Sequence, residues 1–170
     1  MKLLTHEIPT PWGKISSVVD VSKHPTVIGS GFKPLTKLIK QLPAKYLDFE
    51  FKKDSKLAGV TSIVEDWIDG DMDAFSELKV LQSGGEFMQN CWKMLRKVKG
   101  GKVISYADLA QKAGNAKAVR AAGSACAKNL IAPFVPCHRV VKTGGAIGNY
   151  AFGVSLKKAL LKHEGIHNLR

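Results

Sequence analysis

The first 85 residues hold no cysteine and no arginine, and the last 85 hold only three acids, Glu86, Asp108 and Glu164. The chain also lacks any apolar run near the roughly 20 residues a helix needs to span a bilayer, so no membrane partner is expected. Cysteine is scarce, with Cys91, Cys126 and Cys137 the three in 170 residues. Three thiols make no even disulfide framework, which points to a reducing compartment. The start, Met1-Lys2-Leu3-Leu4-Thr5-His6-Glu7, reaches an acid and then Pro9 and Pro11 too early for a secretory signal. The expected location is intracellular: the nucleus in a eukaryote, the cytoplasm or nucleoid in a prokaryote. The segment Asp69-Gly70-Asp71-Met72-Asp73 has the composition of a calcium loop but not its ligand pattern with a terminal glutamate, so calcium is excluded there.

What the chain has in excess is positive charge, all of it in the second half. Residues 1–85 carry 11 Lys against 11 acids; residues 86–170 carry 11 Lys and 4 Arg against three, which accounts for the whole formal charge of +12. Such asymmetry marks either a polyanion-binding surface, most often for nucleic acid, or a solvated charged face, and composition does not separate the two. The same half contains Pro136-Cys137-His138-Arg139-Val140, directly after the apolar run Ile131-Ala132-Pro133-Phe134-Val135. A thiol is a strong nucleophile only as a thiolate, and an imidazole or a positive charge nearby is the usual means of forming one near neutral pH. A Cys-His pair by itself is weak evidence, since most are structural.

Patterning gives an α+β chain in two parts, with a boundary at Ser83-Gly84-Gly85. The first part, 1–84, reads as a small α+β domain of antiparallel sheet and helices. Its strands are expected at Gly13–Val19 and Pro25–Gly29, with amphipathic helices at Leu35–Leu42 and Val60–Ile68. The second part, 85–170, reads as mainly helical and packed against the first. Phe87, Cys91, Leu95 and Val98 mark a helix stopped by Gly100-Gly101. Ser105 is placed to cap a helix over Tyr106–Ala113, Gly114-Asn115 breaks it, and Ala116–Lys128 forms the next, a helix-turn-helix pattern. That last helix is nearly without bulk, which suits close packing either in a core or against another surface.

These motifs, in this order, resemble the O6-alkylguanine-DNA alkyltransferases, or methylated-DNA–protein-cysteine methyltransferases. The resemblance runs from about Phe87 to Glu164. It is carried by the Trp92 helix, Val103-Ile104-Ser105-Tyr106, Gly114-Asn115, Arg120-Ala121-Ala122-Gly123, Asn129, Pro136-Cys137-His138-Arg139-Val140, Gly148-Asn149-Tyr150 and Leu160-Leu161-Lys162-His163-Glu164-Gly165. It implies stoichiometric, irreversible transfer of an alkyl group from O6-alkylguanine, or O4-alkylthymine, in flipped-out DNA to Cys137. It further implies that His138 takes the thiol proton through a bound water, Asn129 holds the cysteine loop and Glu164 orients the histidine. Tyr106 and Arg120 match the residues that rotate the nucleotide out and fill its place, with the second helix of the motif in the minor groove. Val140, Tyr150 and Ala151 match the wall that reads the base, and Asn115, Thr143 and Asn149 match positions near the DNA backbone.

The chain departs from the family at Ala151, where many relatives have serine, and at Phe152, where some have glycine. A tighter pocket that favours methyl over benzyl adducts is the expectation. Some relatives carry a structural zinc in the N-terminal domain, but here that half offers only His6 and His24, so no metal is expected. No cofactor is implied, because the lesion supplies the alkyl group. The expected partner is double-stranded DNA, met by a monomer. Three other readings differ in class: a cysteine hydrolase that turns over, a lesion-binding module without chemistry, and a purely structural Cys137. Release of many products per protein would mark the first of these.

Overall fold

A computed structural model describes residues 1–169 of the chain. They form a mixed α/β structure with seven α-helices, a four-stranded sheet and a two-stranded pair. By contacts the chain divides into two compact units, Met1–Ser83 with Leu130–Phe134, and Gly84–Asn129 with the chain from Val135 onward.

In the first unit the sheet runs in the order β3-β2-β1-β4, from β1 (Leu3–Ile8), β2 (Ile15–Asp20), β3 (Thr26–Gly31) and β4 (Phe51–Lys53). The expected all-antiparallel sheet needs correction: β1, β2 and β3 are antiparallel, but β4 pairs with β1 in parallel. The cause lies in the connection. After β3 the chain passes through α1 (Leu35–Gln41) and α2 (Ala44–Leu47), and a helical crossover of this kind can return a strand parallel to its neighbour. Strand β2 is central and is buried from Ile15 to Val19, so side chains on both of its faces are covered. One apolar cluster joins Leu3, Val18 and Ile28 of the sheet to Leu38, Leu42 and Tyr46. A second aromatic group links Trp12 to Trp67 of α3 (Val60–Ile68), Trp67 to Phe75 and Phe75 to Phe134, with ring centroids 5.1, 4.8 and 5.0 Å apart. The segment Leu130–Phe134 belongs here because Leu130 accepts from the Ser30 N–H at 2.8 Å and Ile131 bridges Ser30.

The second unit holds α4 (Glu86–Leu95), α5 (Tyr106–Lys112), α6 (Val119–Ala127) and α7 (Val154–His163), with β5 (Ile104–Ser105) parallel to β6 (Val140–Val141). Helix α4 follows Gly84-Gly85, and Gly84 is obligatory: a Cβ there would sit 2.6 Å from the Trp92 ring. Trp92 is buried and donates from Nε1 to the Ala125 carbonyl at 2.9 Å, which ties α4 to α6. Ser105 caps α5, its hydroxyl accepting from the Asp108 N–H at 3.0 Å. Helix α6 begins at Val119 rather than Ala116. The Asn115 side chain accepts from the Lys117 N–H at 3.1 Å, an Asx turn that occupies the residues expected to start the helix.

Candidate active site

Cys137 lies on a single 3-10 turn, Cys137–Arg139, wedged between Pro136 and β6. Its N–H donates to the Val135 carbonyl at 2.9 Å, and the same carbonyl accepts from Asn129 Nδ2 at 2.7 Å. Asn129 also hydrogen-bonds the thiol. Cys137 is 5% exposed, and that residual surface faces a cavity of about 570 Å³. Its lining also includes Tyr106, Arg120 and Cys126 from α5 and α6, and Asn149, Tyr150 and Ala151 from the chain before α7. A cavity of this size is within the range of small-molecule sites.

Behind the thiol, three side chains and one backbone carbonyl form a buried ionic network. His138 Nε2 lies 2.9 Å from Glu164 Oε1; Arg139 Nε and Nη2 donate to Glu164 Oε1 and Oε2 at 3.0 and 2.6 Å; Arg139 Nη1 donates to the Val98 carbonyl at 2.8 Å. Burial resists ionisation of Glu164, but the charges and hydrogen bonds of His138 and Arg139 outweigh it and hold the carboxyl well below its usual range. An ionised carboxylate can only accept, so His138 Nε2 must carry the proton that bonds it. Burial holds the His138 pKa down, with Glu164 pulling up and Arg139 and Lys157 adding to the depression, so the ring is neutral near neutral pH. In a neutral imidazole with Nε2 protonated, Nδ1 is a free base. That nitrogen is buried and has no hydrogen-bond partner among the described residues. One short turn and the end of one helix thus bring together a thiol, an imidazole with an unbonded ring nitrogen and a carboxylate that fixes its tautomer, the groups that nucleophilic catalysis uses.

The remaining groups tune the pocket. Burial raises the Cys137 pKa, opposed by the Asn129 hydrogen bond and the Lys157 charge. Tyr106 is pushed up to about 12 by burial and by the thiols of Cys126 and Cys137, so it stays a hydroxyl donor. Tyr150 sits edge-on to His138 at 6.4 Å, and its buried hydroxyl also lacks a partner among the described residues. Phe152 stands edge-on to Tyr150 at 5.3 Å, bracing it from outside the cavity lining.

Of the residues singled out from sequence, His138 and Glu164 meet in this network, Asn129 meets Cys137 on the adjoining turn, and Tyr106, Arg120, Asn149, Tyr150 and Ala151 line the cavity. Val140 does not line it; its side chain is fully buried and its carbonyl accepts from Lys157. Asn115 and Thr143 are exposed and lie outside the cavity lining. Two residues escaped sequence reading. Arg139 lies within the Pro136–Val140 motif, with nothing local in the sequence to give it a role. Lys157 was lost among the lysines of α7, though a signal existed: Lys157, Leu160, Leu161 and Glu164 share one helical face by spacing, and all four are buried. Among the described residues no group of three or more metal-ligating side chains occurs, and no helix is long and apolar enough to cross a membrane.

Residues 86–166, which contain this whole network, match the family model for the DNA-binding domain of 6-O-methylguanine DNA methyltransferase. The chain is 30% identical over 166 residues to the methylated-DNA–protein-cysteine methyltransferase of Salmonella typhimurium, covering 97% of each. This chain belongs to the methylated-DNA–protein-cysteine methyltransferase family. Identity is higher but more local with the human family member, 50% over 86 residues. That match spans 51% of this chain and 42% of the human protein, so the chain aligns with about two fifths of the mammalian family members. The fold is that of the Mycobacterium tuberculosis O6-methylguanine methyltransferase, with a TM-score of 0.70, 24% identity and coverage of 96% and 92% of the two chains.

Proposed function

We propose that this protein repairs DNA directly, by moving the alkyl group of O6-alkylguanine onto Cys137 in a single irreversible step. The observation that carries the reading is the cavity-facing thiol beside a neutral His138, whose Nε2 is tied to Glu164 and whose Nδ1 is free to accept. The thiol proton passes to His138 Nδ1, in relatives through a water, and Glu164 with Arg139 holds the cation that results. The sulfur attacks the alkyl carbon, a carbon–sulfur bond forms, and the carbon–oxygen bond breaks with its electron pair left on guanine. The Tyr106 hydroxyl, kept protonated by its raised pKa, meets that developing charge at the base. The thioether has no route back to a thiol here, so each molecule acts once.

Getting the base into the cavity requires taking it out of the duplex. Helices α5 and α6 with the turn between them serve as a helix-turn-helix, and α6 is the element offered to the minor groove. Arg120, exposed in its first turn at the cavity mouth, fills the vacated stack. Asn115, Thr143 and Asn149 lie along the backbone contacts. Residues 85–170 thus carry both binding and chemistry, and residues 1–84 serve as scaffold. The protein acts as a monomer inside the cell.

Intact mass after mixing with a duplex bearing one O6-methylguanine tests the reading. A stoichiometric gain of one methyl group, absent in Cys137→Ser, is expected. Lesion binding without a mass gain would instead make this a binding module, and release of many products per protein would make it a hydrolase.

A further inference from the structure

One buried cation of the second unit, Lys157, is not used by the chemistry above. Lys157 is 0% exposed, on the same buried face of α7 as Leu160 and Leu161, where an ammonium carries a desolvation cost that an apolar side chain would not. Its ammonium donates to the Val140 carbonyl at 2.6 Å and to the Asn149 carbonyl at 3.0 Å. Those two carbonyls stand at the two ends of the loop that closes one side of the cavity. Nζ also lies 5.9 Å from the centroid of the Tyr106 ring. Gly148 fits between the two: its φ of +74° favours glycine, and an added Cβ would lie 3.3 Å from the Tyr106 ring and 3.5 Å from Nζ. Four pieces of the site, β6, the loop, α5 and α7, therefore converge on one cation.

We propose that Lys157 is a positioning residue of this site, whose buried ammonium pins both ends of the Val140–Asn149 loop against Tyr106 and supplies the positive charge that favours the Cys137 thiolate. The ionisable groups that face it are Cys137 on the 3-10 turn, Cys126 on α6, Tyr106 on α5 and His138 behind the turn. Burial lowers its own pKa to about 8, with the two thiols pulling the other way, so near neutral pH the charge is present. No carboxylate pairs with this cation among the described residues, in contrast to Arg139, so the thiolate of Cys137 is the anion it can serve.

The inference deepens the alkyltransferase reading, and its test is chosen to fail separately. Wild type is compared with Lys157→Met, which keeps an unbranched side chain one atom shorter and removes charge and donors, and with Lys157→Arg, which keeps the charge. The first readout is the rate of Cys137 modification by iodoacetamide from neutral to alkaline pH, located by peptide mass. Loss of the charge should move the midpoint up by about one unit, a roughly tenfold slower reaction at neutral pH, and Lys157→Arg should recover part of it. The second readout is the single-turnover rate on methylguanine duplex, which should fall at least as far in Lys157→Met. An unchanged midpoint together with an unchanged rate would overturn the proposal and leave Lys157 a structural tie. If Lys157→Met does not fold, Lys157→Gln gives the same two readouts. Iodoacetamide contains no guanine, so a shifted midpoint in a protein that transfers no methyl group would uphold Lys157 and sink the alkyltransferase reading.

Discussion

In the first unit the buried polar residues are Thr5, Ser16, Ser17 and Ser30, all neutral hydroxyls; in the second they are Asn129, His138, Arg139, Lys157 and Glu164, four of them ionisable. The hydroxyls are satisfied cheaply, Ser17 with Ser30 across the sheet at 3.2 Å and Ser16 on the Lys33 carbonyl at 2.6 Å. The ionisable groups stay inside only because each is held by named partners, and removing one partner leaves a charge stranded. The formal charges follow the same division, zero over residues 1–85 and +12 over residues 86–170. The contrast teaches where a fold has accepted the cost of burying charge: the sheet unit avoids it, and the unit that holds the thiol and its ionic network does not.

The largest effect that sharpens this contrast is at Glu164. Glu164→Ala strands Arg139 and should cost about 3–5 kcal/mol in chemical denaturation, while pairing Glu164→Gln with Arg139→Met should recover part of the loss. Because folding holds the Glu164 carboxyl below its ordinary value of 4.5, its contribution is full above that pH and is lost as the pH falls towards the folded value. Melting temperature against pH should show a steeper acid limb in wild type than in Glu164→Gln. An equal limb in both would place the acid-sensitive charge elsewhere.

In the first unit the comparable loss comes from packing alone. Leu38→Ala, at the centre of the cluster beneath the sheet, should cost about 2–5 kcal/mol with no change in its pH dependence. Next is Arg120→Ala, exposed at the cavity mouth, which should slow repair of duplex by roughly tenfold or more and leave folding and reaction with free O6-methylguanine base nearly unchanged. Equal losses on duplex and free base would break the assignment of Arg120 to base flipping. The smallest effect is Ser17→Ala, which removes one partner of a neutral buried pair and should cost about 1 kcal/mol. A cost near that of Glu164→Ala would erase the distinction between the two units.

Much of the fold was legible wherever a local pattern sufficed. The β2 and β3 regions announced themselves by β-branched runs between glycine and proline, and α3 matched its amphipathic spacing from Val60 to Ile68. Ser105 read as a cap because N-capping is a contact between near neighbours. What was not legible depended on distant partners. Strand β1 begins among the first residues and has no turn before it to mark it, and β4 is three residues long and exists by pairing with β1. The late start of α6 turned on one Asx hydrogen bond that competes with helix at no cost in composition.

The sequence by itself determined the chemistry on offer: a cysteine next to a histidine after an apolar run, a basic second half, a bulk-free helix with one arginine, and the ordered motifs of the family. Only the tertiary structure decided which charges are buried and what each faces. Residue 98, the adjacent pair 138 and 139, and residue 164 are far apart in the chain, yet they share one carboxylate and one carbonyl. Lys157 and Lys158 are neighbours in sequence, one fully buried and the other in solvent. The helical period places the first on the apolar stripe, and what it pins there, two carbonyls at the ends of one loop, is set by a fold that brings α7 against β6. Charge in water is nearly indifferent to its neighbours, whereas charge in a low-dielectric interior is governed by them, and those neighbours come from the fold.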